Sequence, residues 1–310
     1  LFFEVKNLKL FEKFLLLFML SLSAVCLAQQ TPAGVLFVGV NNNSSDIYLW
    51  LPDGETGQAM PLTQTPQKEG NARWWPGKKL ILASREISEN HYGIVALDSS
   101  LKTVWTCEDP VGSLGWPVPS PYDDRILCVR QVGNGFVQTG FVTYPDGDFT
   151  PLEFNGLSGG QLAWLAPDKI QLSRVTTEGF VITQRDLNTH EEKIIVRGGN
   201  NWQSFVDEHG NNLFVRRVGQ TGSIFRLFKD DDDAWEYENV TNARTYDWQP
   251  STSPDGQTMI FRSLRGGRFF TVTRNLKTGA EKVLPMPGFA EIYFPMILDA
   301  ETVQTLVNAL

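Results

Sequence analysis

The chain has 310 residues, 42% of them hydrophobic and 20% charged, with a net charge of −8. That is enough apolar matter for a full core, and it excludes a chain disordered throughout. The acidic balance also argues against a broad phosphate-binding surface, which needs clustered Lys and Arg, so no nucleic-acid partner is expected.

Residues 1–28 read as a separate segment. Lys6, Lys9 and Lys13 precede an apolar run from Phe14 to Leu22, and small residues lead up to Ala28. This is the plan of a secretory signal peptide, with cleavage expected after Ala28. The run is short for a permanent transmembrane helix, and no second run of membrane length follows. The mature chain, 29–310, is therefore expected to be exported, periplasmic or secreted, and a single domain. Cys26 offers a lipid-anchor alternative, although Val25 is bulky where such a site wants a small residue. Export permits a bridge between Cys107 and Cys128. The apolar run around Cys128, however, makes a buried thiol the plainer reading.

In chain order the segments read as short strands divided by polar turns. Gly34 to Gly39 and Asp46 to Trp50 come first, with Leu51-Pro52-Asp53-Gly54 as a turn. Lys79 to Ser84, Tyr92 to Leu97 and Lys102 to Thr106 make a first full unit. Arg125 to Arg130 and Phe136 to Tyr144 belong to a second, Lys169 to Ser173 and Phe180 to Asp186 to a third, and Asn212 to Arg217 and Ser223 to Phe228 to a fourth. The fifth unit has Thr258 to Ser263, Arg268 to Arg274 and Glu281 to Leu284. Tyr293 to Leu298 and Thr302 to Val307 read as strands at the C-terminal end. No segment after residue 28 has convincing helical periodicity.

The units recur at a fixed interval. Anchors at Ala72, Pro117, Leu162, Ser204, Pro250 and Pro295 lie 42 to 46 residues apart. A period in this range with four strands per unit marks a β-propeller. Neither chain end is a unit alone. Joined, they make a sixth blade and close the ring, which removes exposed sheet edges. The expectation is an all-β, six-bladed propeller of four-stranded antiparallel blades.

The clearest copy reads Trp248-Gln249-Pro250, then Ser253-Pro254-Asp255-Gly256, then Gln257-Thr258-Met259-Ile260-Phe261-Arg262-Ser263. It resembles the TolB-like (WD40-like) propeller repeat, with its Ser-Pro-Asp-Gly turn feeding an apolar strand. Ala72-Arg73-Trp74-Trp75-Pro76-Gly77 and Asp46-Ile47-Tyr48-Leu49-Trp50 are fainter copies. With repeats beginning near Val35, the chain looks like such a propeller without the family's N-terminal α/β domain. The resemblance implies a scaffold that binds proteins or other polymers at the cell envelope. The same fold carries enzymes, so fold alone does not choose between them.

The most suggestive constellation is aromatic. Aligned on the anchors, Trp202, Trp248 and Tyr293 share one position just before the first strand of a unit. Trp116 and Phe294 fall one residue later, level with Gln203 and Gln249. These side chains are candidates to ring one mouth of the central channel, where flat apolar area beside amide groups suits a peptide or a sugar. Packing between blades is the other reading, and both stay open. The favoured function is non-catalytic binding of a protein or glycan partner, as a monomer and without cofactor or metal. The alternative is a carbohydrate-active hydrolase or lyase using Asp247 and Glu291 as paired carboxylates. Asp230-Asp231-Asp232-Asp233 reads as a solvated hairpin turn, since it lacks the alternating oxygen ligands of a calcium loop. His91, His190 and His209 fall in different units, and no Cys/His spacing resembles a zinc site.

Overall fold

The strand Thr258–Arg265 carries three consecutive apolar residues, Met259, Ile260 and Phe261, each 0% exposed. A strand covered on both faces has this continuous pattern, whereas a half-wet strand alternates. The outer strand Thr103–Cys107 buries only Cys107. Small sheets stacked face to face around an axis produce this difference between central and outer strands.

The computed structural model describes residues 31–310 apart from 42–43, 55, 134–135 and 154–157. The expected signal peptide and Cys26 lie outside the described residues. Pro32–Leu310 is one structural unit.

Among the described residues the strands pair into six four-stranded antiparallel sets. One is built from both chain ends: β24 (Glu291–Leu298), β1 (Gly34–Asn41), β2 (Ser44–Leu51) and β3 (Gln58–Pro61). The next runs β4 (Glu69–Trp75), β5 (Leu80–Ser88), β6 (His91–Leu97) and β7 (Thr103–Cys107). Then come β8 (Ser113–Pro119), β9 (Arg125–Val132), β10 (Phe136–Thr143) and β11 (Phe149–Pro151). The fourth set is β12 (Ser158–Ala166), β13 (Lys169–Thr176), β14 (Gly179–Asp186) and β15 (Glu192–Val196). The fifth is β16 (Asn200–Val206), β17 (Asn212–Val218), β18 (Thr221–Lys229) and β19 (Trp235–Asn239). The sixth is β20 (Tyr246–Thr252), β21 (Thr258–Arg265), β22 (Arg268–Asn275) and β23 (Glu281–Leu284). The last two sets touch through a single parallel pair, Gly222 with Tyr246.

The first strands contact one another in the closed circuit β24–β4–β8–β12–β16–β20–β24. They are the inner strands of a propeller, and its blades pack through apolar seams between neighbouring sheets.

One element departs from expectation. Thr302 to Val307, expected as a strand, lies in the helix α1 (Ala300–Val307). Asp299 caps it, accepting from the Thr302 backbone N–H at 2.7 Å. Free N–H groups in a first helical turn favour such an acceptor. Thr302, Val303 and Leu306 are buried, and Val303 and Leu306 join the apolar seam around Leu36 and Leu49. A Cβ on Gly34 would stand 2.7 Å from Val303 Cγ2, so only glycine lets the helix sit this close to β1. The two chain ends thus supply one second strand, β1, and not two.

Candidate functional site

The sequence expectation set the aromatic residues just before the inner strands. They lie within them instead, at a repeated break in the pairing. β4, β8, β16, β20 and β24 each contain a register shift there. At each break one non-glycine residue has positive φ: Asn71 (54°), Trp116 (53°), Gln203 (55°), Gln249 (54°) and Phe294 (52°). β12 also shifts, between Ser158 and Leu162. Such a conformation costs an L-residue about 1–2 kcal/mol. These are β-bulges, and a bulge re-aims the side chains beside it.

Hydrogen bonds across the blades offset part of that cost. The Gln249 N–H donates to Gln203 Oε1 at 2.7 Å, and the Phe294 N–H donates to Gln249 Oε1 at 3.0 Å. Each glutamine therefore accepts the bulge N–H of the following blade. The Trp116 N–H uses Ser84 Oγ instead, at 3.3 Å. With their oxygens fixed in this way, the Gln203 and Gln249 amides are oriented and keep their NH₂ groups as donors.

Register shows which end of the blade these residues share. Tyr246, at the start of β20, pairs with Leu264 at the end of β21, and Leu264 also pairs with Phe269. The opening residues of the inner strand therefore lie at the same end of the blade as the β21–β22 hairpin. The position before the bulge is aromatic in three consecutive blades, at Trp202, Trp248 and Tyr293, and glycine in two others, at Gly70 and Gly115. The blades of Gly70 and Gly115 thus have no side chain at this position.

These aromatics are half-buried and take part in packing. Trp202 and Trp248 rest on one apolar cluster built around Leu213, Val215 and Phe261. Trp202 also lies 6.0 Å from the Phe180 ring, and its indole Nε1 is buried without a partner. Trp116 packs on a separate cluster around Leu127 and Trp164, away from the others. Trp248 and Tyr293 converge on a residue that the sequence analysis passed over. The Arg262 guanidinium lies 4.8 Å from the Trp248 ring centroid, 4.7 Å from Phe269 and 4.4 Å from Tyr293. Arg262 faces Trp248 directly across the β20–β21 pair. The signal for it was a lone cation inside the apolar run Met259 to Leu264.

The paired-carboxylate alternative meets a different arrangement. Asp247 is only 4% exposed, and the hydroxyls of Ser263 and Thr241 donate to it. Burial raises its pKa more than those donors lower it. Glu69 occupies the same place in β4: it is 3% exposed, with Thr63 and Arg85 as donors. Thr241 Oγ1 also accepts the Ile224 N–H, and Thr63 Oγ1 the Ile47 N–H. In both blades a threonine thus ties the outer part of one sheet to a carboxylate on the next inner strand. Asp247 is a fastening between blades, walled off from the channel. Glu291 is half-buried at the start of β24.

The chain superposes on TolB from Acinetobacter baumannii with a TM-score of 0.69 and 16% identity, over 85% of this chain and 66% of that one. The fold is that of a TolB-like β-propeller. Putative TolB from Agrobacterium tumefaciens aligns at TM-score 0.62 and 16% identity, covering 82% of this chain and 89% of that one. Oligogalacturonate lyase from Vibrio parahaemolyticus aligns at TM-score 0.53 and 12% identity, covering 81% and 74%. No protein-family profile and no curated protein sequence matches the chain. At such identities the likeness is one of fold, and the chain spans just under two thirds of the Acinetobacter structure.

Asp230 to Asp233 and His209 lie at the other end of their blades in this TolB-like propeller, whereas His91 opens β6 at the β5–β6 hairpin. Asp230 to Asp233 form the exposed β18–β19 turn, where Asp233 pairs with Lys229 and Asp230 Oδ1 accepts two backbone N–H groups. His209 docks against the neighbouring Ser-Pro-Asp-Gly turn, 2.7 Å from the Pro254 carbonyl. Cys107 and Cys128 are free thiols in one apolar seam, so the bridge is not formed. Burial pushes the Cys107 thiol up to about 12. Among the described residues no group of three or more His, Cys, Asp or Glu side chains is placed to hold a metal ion. No helix among them is long and apolar enough to cross a membrane.

Proposed function

We propose that the chain is an exported, six-bladed TolB-like propeller that holds a protein partner at one mouth of its channel, without catalysis. The observation carrying this is the amide relay. Gln203 and Gln249 are locked by their oxygens onto the next blade. Their NH₂ groups stand ready beside Trp202, Trp248 and Tyr293. Fixed donors next to half-buried rings suit a peptide segment, because little side-chain freedom is lost when it docks. Export rests on the plan of residues 1–28.

The carbohydrate-active alternative is weakened by Asp247. A general acid or base must reach the reacting atom, and this carboxylate is buried under two hydroxyls.

Partner capture from the chain's own envelope extract tests the reading. Gln203→Ala with Gln249→Ala, and separately Trp202→Ala, are expected to reduce capture at least tenfold while the protein stays folded by circular dichroism. Undiminished capture by folded variants would count against the mouth. Turnover of any member of a glycan panel would favour the enzyme.

A further inference from the structure

Several strand arginines of this protein are matched with acids, while Arg216 and Arg217 bond the Tyr237 hydroxyl and the Gly219 carbonyl instead. Arg85 pairs with Glu69 at 2.5 Å, Arg130 with Asp109 at 3.0 Å and Arg174 with Glu192 at 2.5 Å. In the β20–β23 blade the corresponding acid is Glu281, and Arg265 and Arg274 both hold it, at 2.7 and 2.9 Å. Arg262 is left over. It is 2% exposed, its Nη2 has no hydrogen-bond partner, and among the described residues it forms no ion pair. Glu291 acts on it only through the longer-range field.

Three ring faces surround this cation. Their attraction is real, yet it does not replace the hydrogen bonds that a guanidinium loses on leaving water. Burial draws the Arg262 pKa down to about 10, so it stays charged at neutral pH. The same ring contacts bear on the ligand. One face each of Trp248, Tyr293 and Phe269 already holds the guanidinium, and Trp248 is met edge-on by Tyr246 and Phe269. A sugar ring needs a free aromatic face, and this platform is largely occupied.

A second cation lies beyond Tyr293 and Phe294. The Arg73 guanidinium lies 5.5 Å from the Phe294 ring centroid, and burial brings its pKa to about 10. No carboxylate among the described residues pairs with it. Tyr293 and Phe294, with ring centroids 6.5 Å apart, stand between the two arginines. A chain with a net charge of −8 has thus placed two unmatched cations on either side of one inner strand.

We infer that this part of the mouth is a carboxylate site, with Arg262 as its main anchor and Arg73 as a second, and that it takes an acidic peptide segment. The inference rests on the mouth reading above and adds the chemistry of the ligand. A guanidinium presents a planar fork of donors that matches a carboxylate. Phe269 is the outer cover. It is 43% exposed and follows a hairpin in which Gly266 and Gly267 have positive φ. On this inference the ligand reaches the guanidinium by displacing the Phe269 ring.

The test uses the full chain and a blocked Gly-Glu-Gly-Glu-Gly peptide, its Gln twin and trigalacturonate, read by calorimetry. The Glu peptide is expected to bind at least about tenfold more tightly than the Gln twin, the margin of one charge-assisted pair. Arg262→Met should abolish that preference while leaving Tm unchanged or higher, because an unmatched buried charge is replaced by an apolar side chain. Phe269→Ala should keep the preference and bind faster. Arg73→Gln should weaken the Glu peptide alone. A preference that survives in Arg262→Met overturns the inference, and so does a lower Tm for that variant with binding intact. No binding of the Glu peptide at millimolar concentration overturns it too. Equal binding of both peptides, lost in Gln203→Ala with Gln249→Ala, would leave the mouth standing and remove the carboxylate. Trigalacturonate bound in preference to the Glu peptide would replace the peptide with an acidic glycan.

Discussion

At the scale of single residues, the repeat motif and the fastenings between blades prove to be one subject. The Ser-Pro-Asp-Gly turn closes on itself, since Ser253 Oγ accepts the Thr258 N–H at 3.0 Å and the Gly256 N–H meets the Ser253 carbonyl at 2.8 Å. It is also a docking surface. A Cβ on Gly256 would stand 2.7 Å from the His209 ring, and φ there is +67°. Asn211 donates to the Gly256 carbonyl at 2.9 Å. Asp247 carries a consequence for pH. Its folded pKa is raised, mainly by burial, above the unfolded value of about 4. The folded state therefore binds the proton more tightly, and stability falls as pH climbs from the ordinary carboxylate range through the raised value. Asp247→Asn keeps an acceptor for one hydroxyl and offers a donor to the other. We expect it to match or exceed the parent at pH 7, with the difference closing as the pH falls to the ordinary carboxylate range, followed by urea unfolding. A difference that does not shrink as the pH falls to about 4 would contradict the account.

At the scale of elements, the bulge is the feature that the sequence hid. Positive φ is normally announced by Gly, Asn or Asp, yet Gln203 adopts it, and Trp116, Gln249 and Phe294 do so where an N–H acceptor waits on a neighbouring strand. Nothing local encodes that acceptor, so strand limits and turns were legible while the inner-strand break was not. Gln249→Ala removes the acceptor and keeps the strain, and we expect a loss of about 1 kcal/mol. Gln249→Gly removes both, and relief of the left-handed cost should leave it more stable than the alanine variant. Chemical denaturation of the pair checks the order. The helix α1 was misread for a related reason. Its Thr302, Val303 and Val307 favour strands, and the informative signs were Asp299 as a cap with Glu301 in the first turn. Arg262 stayed unnoticed because its significance lies in what fails to pair with it, which only the assembled blades reveal.

For the molecule as a whole, period and turn chemistry made the ring and its closure readable, because every blade must solve the same packing problem. The seam is where the ring is most exposed to failure. β24 alone joins the final stretch of the ring to β1, and without it β1 presents an unpaired apolar edge. Deleting residues 287–310 is expected to yield a protein that self-associates and loses a single cooperative transition, as light scattering and calorimetry would record. The seam strand also carries Tyr293, the nearest of the three rings around Arg262, and Phe294, which receives the last link of the amide relay. The mouth is therefore complete only when the seam has closed. A ligand seated there binds only rings that have closed, draws refolding toward completion by mass action, and slows any unfolding that begins by releasing the seam.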